Sequence, residues 1–413
     1  MQRLKVLILS RNYPNKVMKT LGLWVKRLVY HIAEICELRV ISPVPYCPPL
    51  PGFPEYTRFR QVESQHKEDD MEVYHPRFLV GLGYSLYNLE ALTYYFGVRR
   101  LVDEIRHDFP FEVIHAHFIY PDGVVGTWLG RRYGVPVVVT EHAPWQGWMD
   151  RYPLVRRQAV WAARKITLHI TVSNYVRTTI AYFTGEPEKI RVIPNGVDGS
   201  VFTPLKNGVK PNPNQILYVG FINFNKGLDI LLQAMPQVVR HRPEAKLVLV
   251  GGSIYRNTQL QEQRLRQMAH DLGLEGHVEF IGPKLPMEVS QYMRESAVLV
   301  LPSRLEAFGS VIVEALACGT PVIATRSGGP EDIINEKVGL LVPKEDSEAL
   351  ASAIIQVLER RDEYDAQALR DYTLKNFSWQ GIARQTVDVY KEAMNHFQVS
   401  LKNTHHLSRR YSS

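Results

Sequence analysis

Along this chain, short runs of Val, Ile and Leu alternate with segments whose apolar residues recur at helical spacing. That alternation predicts parallel β-strands joined by crossover helices, an α/β protein throughout. In the first half, strands are expected at KVLILS, LRVIS, EVYHP, VIHAH, VPVVVT, TLHITVS and IRVIP, with helices between them that include Gly22 to Glu37 and Leu86 to His107. These suffice for one doubly wound sheet. Between Asp198 and Gln215 the chain passes through TPLKNGVKPNPN, which is rich in Pro, Asn and Gly and has no period, so it reads as a linker. A second alternation follows in QILYVG, KLVLVG, VEFIG, AVLVLP, PVIAT and GLLVP, with helices between them such as Gly227 to Arg240. The expected organisation is a first domain over 1–198, a linker over 199–214 and a second domain over 215–376. Residues 397–413, ending in NTHHLSRRYSS, show neither period nor core and are expected to be disordered. Six prolines between Pro43 and Pro54 predict a stiff surface loop at a ligand cleft.

Composition narrows the class. At 413 residues, 45% hydrophobic and 22% charged, the chain can bury two sizeable cores and is neither collagen-like, disordered nor coiled-coil. No apolar run approaches the roughly 20 residues of a membrane helix, and KVLILS follows the start without a signal-peptide layout, so a cytoplasmic protein is expected. Cys36, Cys47 and Cys318 have no C-x-x-C spacing, which excludes a disulfide framework and a zinc knuckle. The net charge of +7 suits an anionic ligand, a membrane face or nucleic acid, and simple solubility accounts for it equally well. No nucleic-acid module is present, and nucleic acid is not an expected partner. GLWVKRLVYHI and LEALTYYFGVRR mix aromatic with basic residues and suit peripheral membrane contact, although core-facing helices look the same.

The chemistry concentrates after strands. Leu301 to Thr325 reads as strand, turn, helix, strand, and Glu314 stands among Val311, Ile312, Val313, Ala315, Leu316 and Ala317. A helix so apolar is expected to be largely buried, which would leave Glu314 in need of a partner, either an Arg or backbone amides or a ligand. Glu306 lies in the preceding turn, where Gly309 lets backbone N–H groups face a polar ligand. Carboxylates there suit sugar or ribose hydroxyls. In LYVGFINFNKGLDILLQAM a strand ends at Gly220 and Lys226 opens a helix, where a cation makes better sense beside a diphosphate than alone, although a solvated loop lysine reads equally well. No P-loop sequence occurs. VIHAHFIYPDG sets His115 and His117 at a strand end, and VVTEHAP adds Glu141 and His142 at the next. Zinc, hydrogen bonding to a sugar or phosphate, and simple core spacing compete for these histidines, with zinc the weakest. Arg156, Arg157, Lys165 and Arg177 add positive charge that reads as helix surface.

Glu306 and Glu314 are separated by seven residues inside PSRLEAFGSVIVEALACGTPVIAT, and this stretch closely resembles the retaining GT-B glycosyltransferases of family four. RNYPN…LGLWVKR, VIHAHFIYPDG, VTEH, TVSNYVR, VIPNGVD, NKGLDILLQAM, SGGPEDII and NFSWQGIARQTVDVYKEAM extend the likeness in order over nearly the whole chain. YPDG and GGPED look most like enzymes that build bacterial surface polysaccharides. The resemblance implies a GT-B fold, two Rossmann-like doubly wound domains facing a central cleft, with a closing helix at 377–396 that crosses back to the first domain. It implies transfer of a sugar from a nucleotide diphosphate sugar to a hydroxyl of a carbohydrate or lipid-linked carbohydrate, with retention of configuration and without a metal or other cofactor. In that reading Glu314 holds the ribose, Glu306 contacts the donor sugar, and the amides of Ala307, Phe308, Gly309 and Ser310 support it. Lys226 neutralises the diphosphate near Gly220, His117 sits beside the donor sugar, Gly22 lies near the diphosphate and acceptor, and Glu141 and His142 fall on the acceptor or sugar side. One departure stands out: the family's Arg after the strand-end glycine is here Phe221, which leaves Arg304 or Arg326 as stand-ins. The other readings are a sugar-nucleotide epimerase or hydrolase on the same fold, and a non-catalytic basic binding protein.

Overall fold

The computed structural model describes residues 3–46, 57–80, 86–206, 209–252 and 256–410. Contacts divide the chain into two units, one formed by the residues up to Pro194 together with those from Ile382 onward, the other by Asn195–Gly381.

The first unit is built on a sheet of β1 (Lys5–Leu9), β2 (Glu37–Ile41), β4 (Gln65–Glu68), β5 (Met71–Tyr74), β7 (Val113–His117), β8 (Val137–Glu141), β9 (Leu168–Thr171) and β10 (Ile190–Val192). A separate parallel pair joins β3 (Val44–Tyr46) to β6 (Arg77–Leu79). The sheet runs β10-β9-β8-β7-β1-β2-β5-β4, and every pairing is parallel except β4 with β5. Strands β7, β8 and β9 are buried at every position, which explains why they read as continuous apolar runs rather than as alternating ones. The order turns between β1 and β7, so their carboxyl ends open a crevice there.

The second unit repeats the logic with β11 (Asn212–Val219), β12 (Lys246–Val250), β13 (Val278–Gly282), β14 (Ser296–Leu301), β15 (Val322–Thr325) and β16 (Gly339–Val342), all parallel in the order β13-β12-β11-β14-β15-β16. Its switch point lies between β11 and β14, whose ends lead into the Lys226 loop and the Glu306 turn. These two Rossmann-like sheets give the expected GT-B architecture of two α/β units.

Three details differ from the sequence reading. The second unit begins at Asn195, ahead of the expected linker at 199–214. Arg370 donates to the carbonyls of Gly199 and Phe202, and Ser290 donates to that of Val201, so this stretch is held on the second unit. The final helix runs Trp379–Arg410 and so includes most of the tail expected to be disordered. Ile382, Val387, Tyr390 and Ala393 are buried at helical spacing, and past them the helix extends without a Gly or Pro to stop it, since propagation costs less than nucleation. Of the proline-rich loop, Val44–Tyr46 forms β3, and residues 47–56, Cys47 among them, lie outside the described residues.

Candidate functional site

At the switch point of the second sheet, the chain leaves β11 at Gly220, makes one short turn over Phe224–Lys226 and enters the helix Leu228–His241. Gly227 joins turn to helix at φ +63°, and a Cβ there would lie 2.0 Å from the Pro302 carbonyl oxygen, so the loop rests directly on the end of β14. That seating directs Lys226 toward Glu306. Lys226 Nζ donates to Glu306 Oε2 at 2.6 Å, and Ser303 Oγ donates to the same oxygen at 3.2 Å. The Glu306 backbone is tied to the next loop as well, donating to Ser327 O and accepting from Gly329 N. Below it, buried Tyr218 donates to the Phe221 carbonyl at 2.7 Å, and burial together with the Glu306 charge keeps that phenol protonated.

Gly309, at φ +94°, starts the helix Ser310–Ala317 without a side-chain cap, which leaves first-turn N–H groups for a ligand. The helix is largely buried, as its composition suggested, and one side of it is partly open. Ser310, Val311 and Glu314 form a partly exposed stripe, and Ile312, Val313, Ala315, Leu316 and Ala317 face the core. Glu314 is therefore a half-open carboxylate on the same short helix that Gly309 and Ser310 begin.

The missing arginine is not replaced by Arg304. That guanidinium grips Asp229 with two bonds of 2.8 and 2.7 Å, bonds Glu345 and the Phe224 carbonyl, and lies 4.1 Å from the Phe224 ring centre. It anchors the Lys226 loop. Arg326 is exposed and makes no side-chain hydrogen bond among the described residues, and Phe221 is 54% exposed.

In the first unit the histidines separate into two roles. His115 is a core residue, bonded by Nε2 to Thr140 Oγ1 at 2.7 Å and by Nδ1 to Tyr390 OH at 2.6 Å. His117 Nδ1 meets His142 Nε2 at 3.0 Å with the rings stacked. Burial, and then the neighbouring imidazoles, hold His117 well below its ordinary value, so it is neutral. His117 Nε2, His142 Nδ1 and Trp24 Nε1 are buried with no hydrogen-bond partner, and Trp24 lies against the His142 ring. Such atoms suit the hydroxyls of a ligand. Gly22, directly before the helix Leu23–Ala33, is buried against Asn12.

Glu141 is buried, and one oxygen accepts the Ile119 N–H. Burial pushes it up to about 8 despite that bond. It thereby fixes the turn Ile119–Gly123, which follows Phe118 at φ +69°, a sparsely populated backbone setting for a non-glycine residue. The turn presents Asp122, which accepts from Arg11 N at 2.8 Å and Tyr94 OH at 3.1 Å and is pushed up by burial to about 7. Arg11 pairs with buried Glu90. Arg11, Asp122 and Glu141 line a cavity of about 200 Å³. Sequence reasoning missed Arg11, Glu90, Asp122 and Trp24, although a Glu opening the helix Glu90–Asp108 and a charge just past β1 were signals available to it. Among the described residues no group of three or more His, Cys, Asp or Glu is arranged to hold a metal ion.

Residues 203–373 match the glycosyl transferases group 1 family and residues 26–200 match glycosyltransferase family 4. The chain is 31% identical over 315 residues to a D-inositol 3-phosphate glycosyltransferase of Nocardioides sp., covering 68% of each. It is 26% identical over 411 residues to an uncharacterized glycosyltransferase of Methanocaldococcus jannaschii, covering 95% of this chain and 99% of that one. Among solved structures, sucrose-phosphate synthase from Thermosynechococcus elongatus superposes with a TM-score of 0.76 at 21% identity over 94% of this chain and 99% of that one. Anabaena HepE, solved in complex with UDP, gives 0.71 at 21% identity over 94% of this chain and all of its own.

Proposed function

Because the chain belongs to the family 4, group 1 glycosyltransferases, we propose that it moves a sugar from a nucleotide diphosphate sugar to a hydroxyl with retention of anomeric configuration, in polysaccharide or glycoconjugate synthesis. The observation that carries this reading is the Lys226–Glu306 contact beside the uncapped helix that bears half-open Glu314.

The chemistry is electrostatic. Negative charge grows on the departing diphosphate as the anomeric carbon becomes cationic, and a fixed lysine with helix-terminal N–H groups stabilises that charge at little reorganisation cost. Lys226 fills that role and Glu306 orients it, while Glu306 and the amides from Ala307 to Ser310 meet the sugar hydroxyls and Glu314 accepts from the ribose. The positive charge on Lys226 serves where other enzymes use a metal, and the first unit offers neutral His117 and the Trp24 N–H to hydroxyl groups. Glu306 is already paired with a cation, which favours a positioning role over nucleophilic attack, so the acceptor proton passes to a donor phosphate oxygen on the same face. HepE was solved with UDP, which makes UDP-sugars the first donors to try. The acceptor is a carbohydrate or lipid-linked carbohydrate.

The test is turnover with UDP-, GDP- and ADP-sugars, with the anomeric configuration of the product read by NMR. Donor and product of the same configuration support the reading. An inverted product, a glycosyl-enzyme adduct trapped on Glu306, or donor breakdown that needs no acceptor would each overturn it.

A further inference from the structure

We propose that one outer face of the first unit docks on a bilayer containing anionic lipid. The helices Pro153–Lys165 and Asn174–Thr184 border a groove of about 890 Å³ whose lining includes Arg156, Arg157, Arg164 and Lys165 and no acidic residue. Arg157, Arg164 and Lys165 are exposed and form no ion pair among the described residues. Arg156 has only exposed Asp150 at 3.5 Å, and its guanidinium lies over the Phe183 ring at 5.1 Å. A surface kept only for solubility would intersperse both signs, and this one does not.

The groove does not stand alone. Leu154 and Tyr182 are 58% and 78% exposed. Trp161, in the groove lining, lies 6.4 Å from Trp128, which lies 5.5 Å from Tyr95, itself 5.8 Å from Phe96, so a ridge of rings crosses to the helix Glu90–Asp108. There Phe96 is 54% exposed beside exposed Leu92, and Arg99 sits over its ring at 4.9 Å. Two stretches far apart in sequence thus present cations with long aliphatic stems beside aromatic and leucine side chains, and Tyr182 and Phe183 add rings from a third. Phosphate headgroups answer the cations, and the acyl boundary answers the leucines and rings. A nucleic acid would use the cations and rings but would leave exposed leucines without a partner. No described helix is long and apolar enough to cross a membrane, so the attachment is peripheral.

The full chain is sedimented with vesicles of phosphatidylcholine alone and of phosphatidylcholine with phosphatidylglycerol, over a salt series. The expected result is binding to the anionic vesicles only, weakening with salt. Each cation near an anionic surface is worth about fivefold, so Arg157→Gln/Arg164→Gln/Lys165→Gln should bind about a hundredfold more weakly. Leu154→Ser/Tyr182→Ser should lose the part of the binding that survives at high salt. Both variants should keep wild-type thermal stability and solution activity, which separates docking from misfolding and from failure of the proposed transferase reaction. Unchanged vesicle binding by the charge variant would overturn the proposal. So would binding of a single-stranded oligonucleotide, at the same salt, that the charge variant loses and the Leu154→Ser/Tyr182→Ser variant keeps.

Discussion

Lys226 Nζ and Glu306 Oε2 are 2.6 Å apart although eighty residues separate them in the chain. The strand-end loops of β11 and β14 meet at the switch point, and Gly227 lies flush on the Pro302 carbonyl to allow it. An anionic ligand reaching Lys226 therefore finds a cation already oriented. Lys226→Met is expected to lower kcat by about 10² to 10³, the range seen when one transition-state donor is removed. Glu306→Gln should lower it too, and the double variant should cost much less than the two losses combined, because both act on one unit. Single-turnover kinetics on the four proteins check this, and fully additive losses would separate the two residues into independent roles.

Glu314 lies on the partly exposed stripe of its helix, so Glu314→Ala should leave the protein folded. The matching nucleoside diphosphate at about 100 times its Kd should stabilise the wild-type protein by about 2.7 kcal/mol. Thermal unfolding against UDP, GDP, ADP, CDP and TDP should single out one base, and Glu314→Ala should lose that shift. A shift retained in the variant would move the ribose contact elsewhere.

Phe221 is exposed where the resemblance to family four implied an arginine, and Arg304 is engaged with Asp229 and Glu345. Lysine alone makes a weaker anion clamp than lysine with a forked guanidinium. Phe221→Arg is expected to tighten nucleoside diphosphate binding about tenfold, in line with about 1.4 kcal/mol for one charge-assisted contact. Calorimetric titration measures it, and an unchanged Kd would mean that the position does not face the diphosphate.

Buried carboxyls give stability a distinctive pH dependence. Burial pushes Glu141 to about 8 and Asp122 to about 7, whereas in the unfolded chain both lose their protons near pH 4. The fold thus binds more protons than the unfolded chain above about pH 4, and stability falls as pH rises toward 8, by up to about 1.4 kcal/mol per unit for each group still protonated. His115 and His142 work in the opposite sense: burial holds both down to about 3, so the unfolded chain gains protons below about pH 6.5 and stability falls as pH drops. Between about 6.5 and 8 the carboxyls act with little opposition from these imidazoles. Urea unfolding should show stability declining over that window, and Glu141→Gln should flatten the decline between pH 7 and 8. An equal slope in the variant would count against a protonated Glu141.

Much of this was legible in the sequence because parallel strands buried on both faces spell themselves out as apolar runs, and because strand-end loops in a doubly wound sheet are where polar exceptions gather. Glu306, Glu314 and Lys226 were found that way. Other features depend on side-chain direction, which periodicity does not report. Glu141 sits next to His142 in sequence yet turns to the Ile119 amide, and Arg304 looked free until Asp229 and Glu345 were seen beside it. Glu314 looked buried because its neighbours are apolar, but a single stripe of the helix is open. The end of the last helix was invisible for a different reason: beyond Ala393 no described side chain is buried, so nothing there needed an apolar period.

The bond from Tyr390 to His115 spans 275 residues, and Ile382, Val387 and Ala393 fill the same core. During synthesis, the first unit's sheet emerges long before the helix that completes it. At about 5–20 residues per second, that core waits tens of seconds with an apolar face uncovered, while the second unit, contiguous from Asn195 to Gly381, has every strand it needs in hand. Released chains truncated after Gly381 should therefore contain a folded second unit and a first unit that still engages chaperones, so that the half made first is the half finished last.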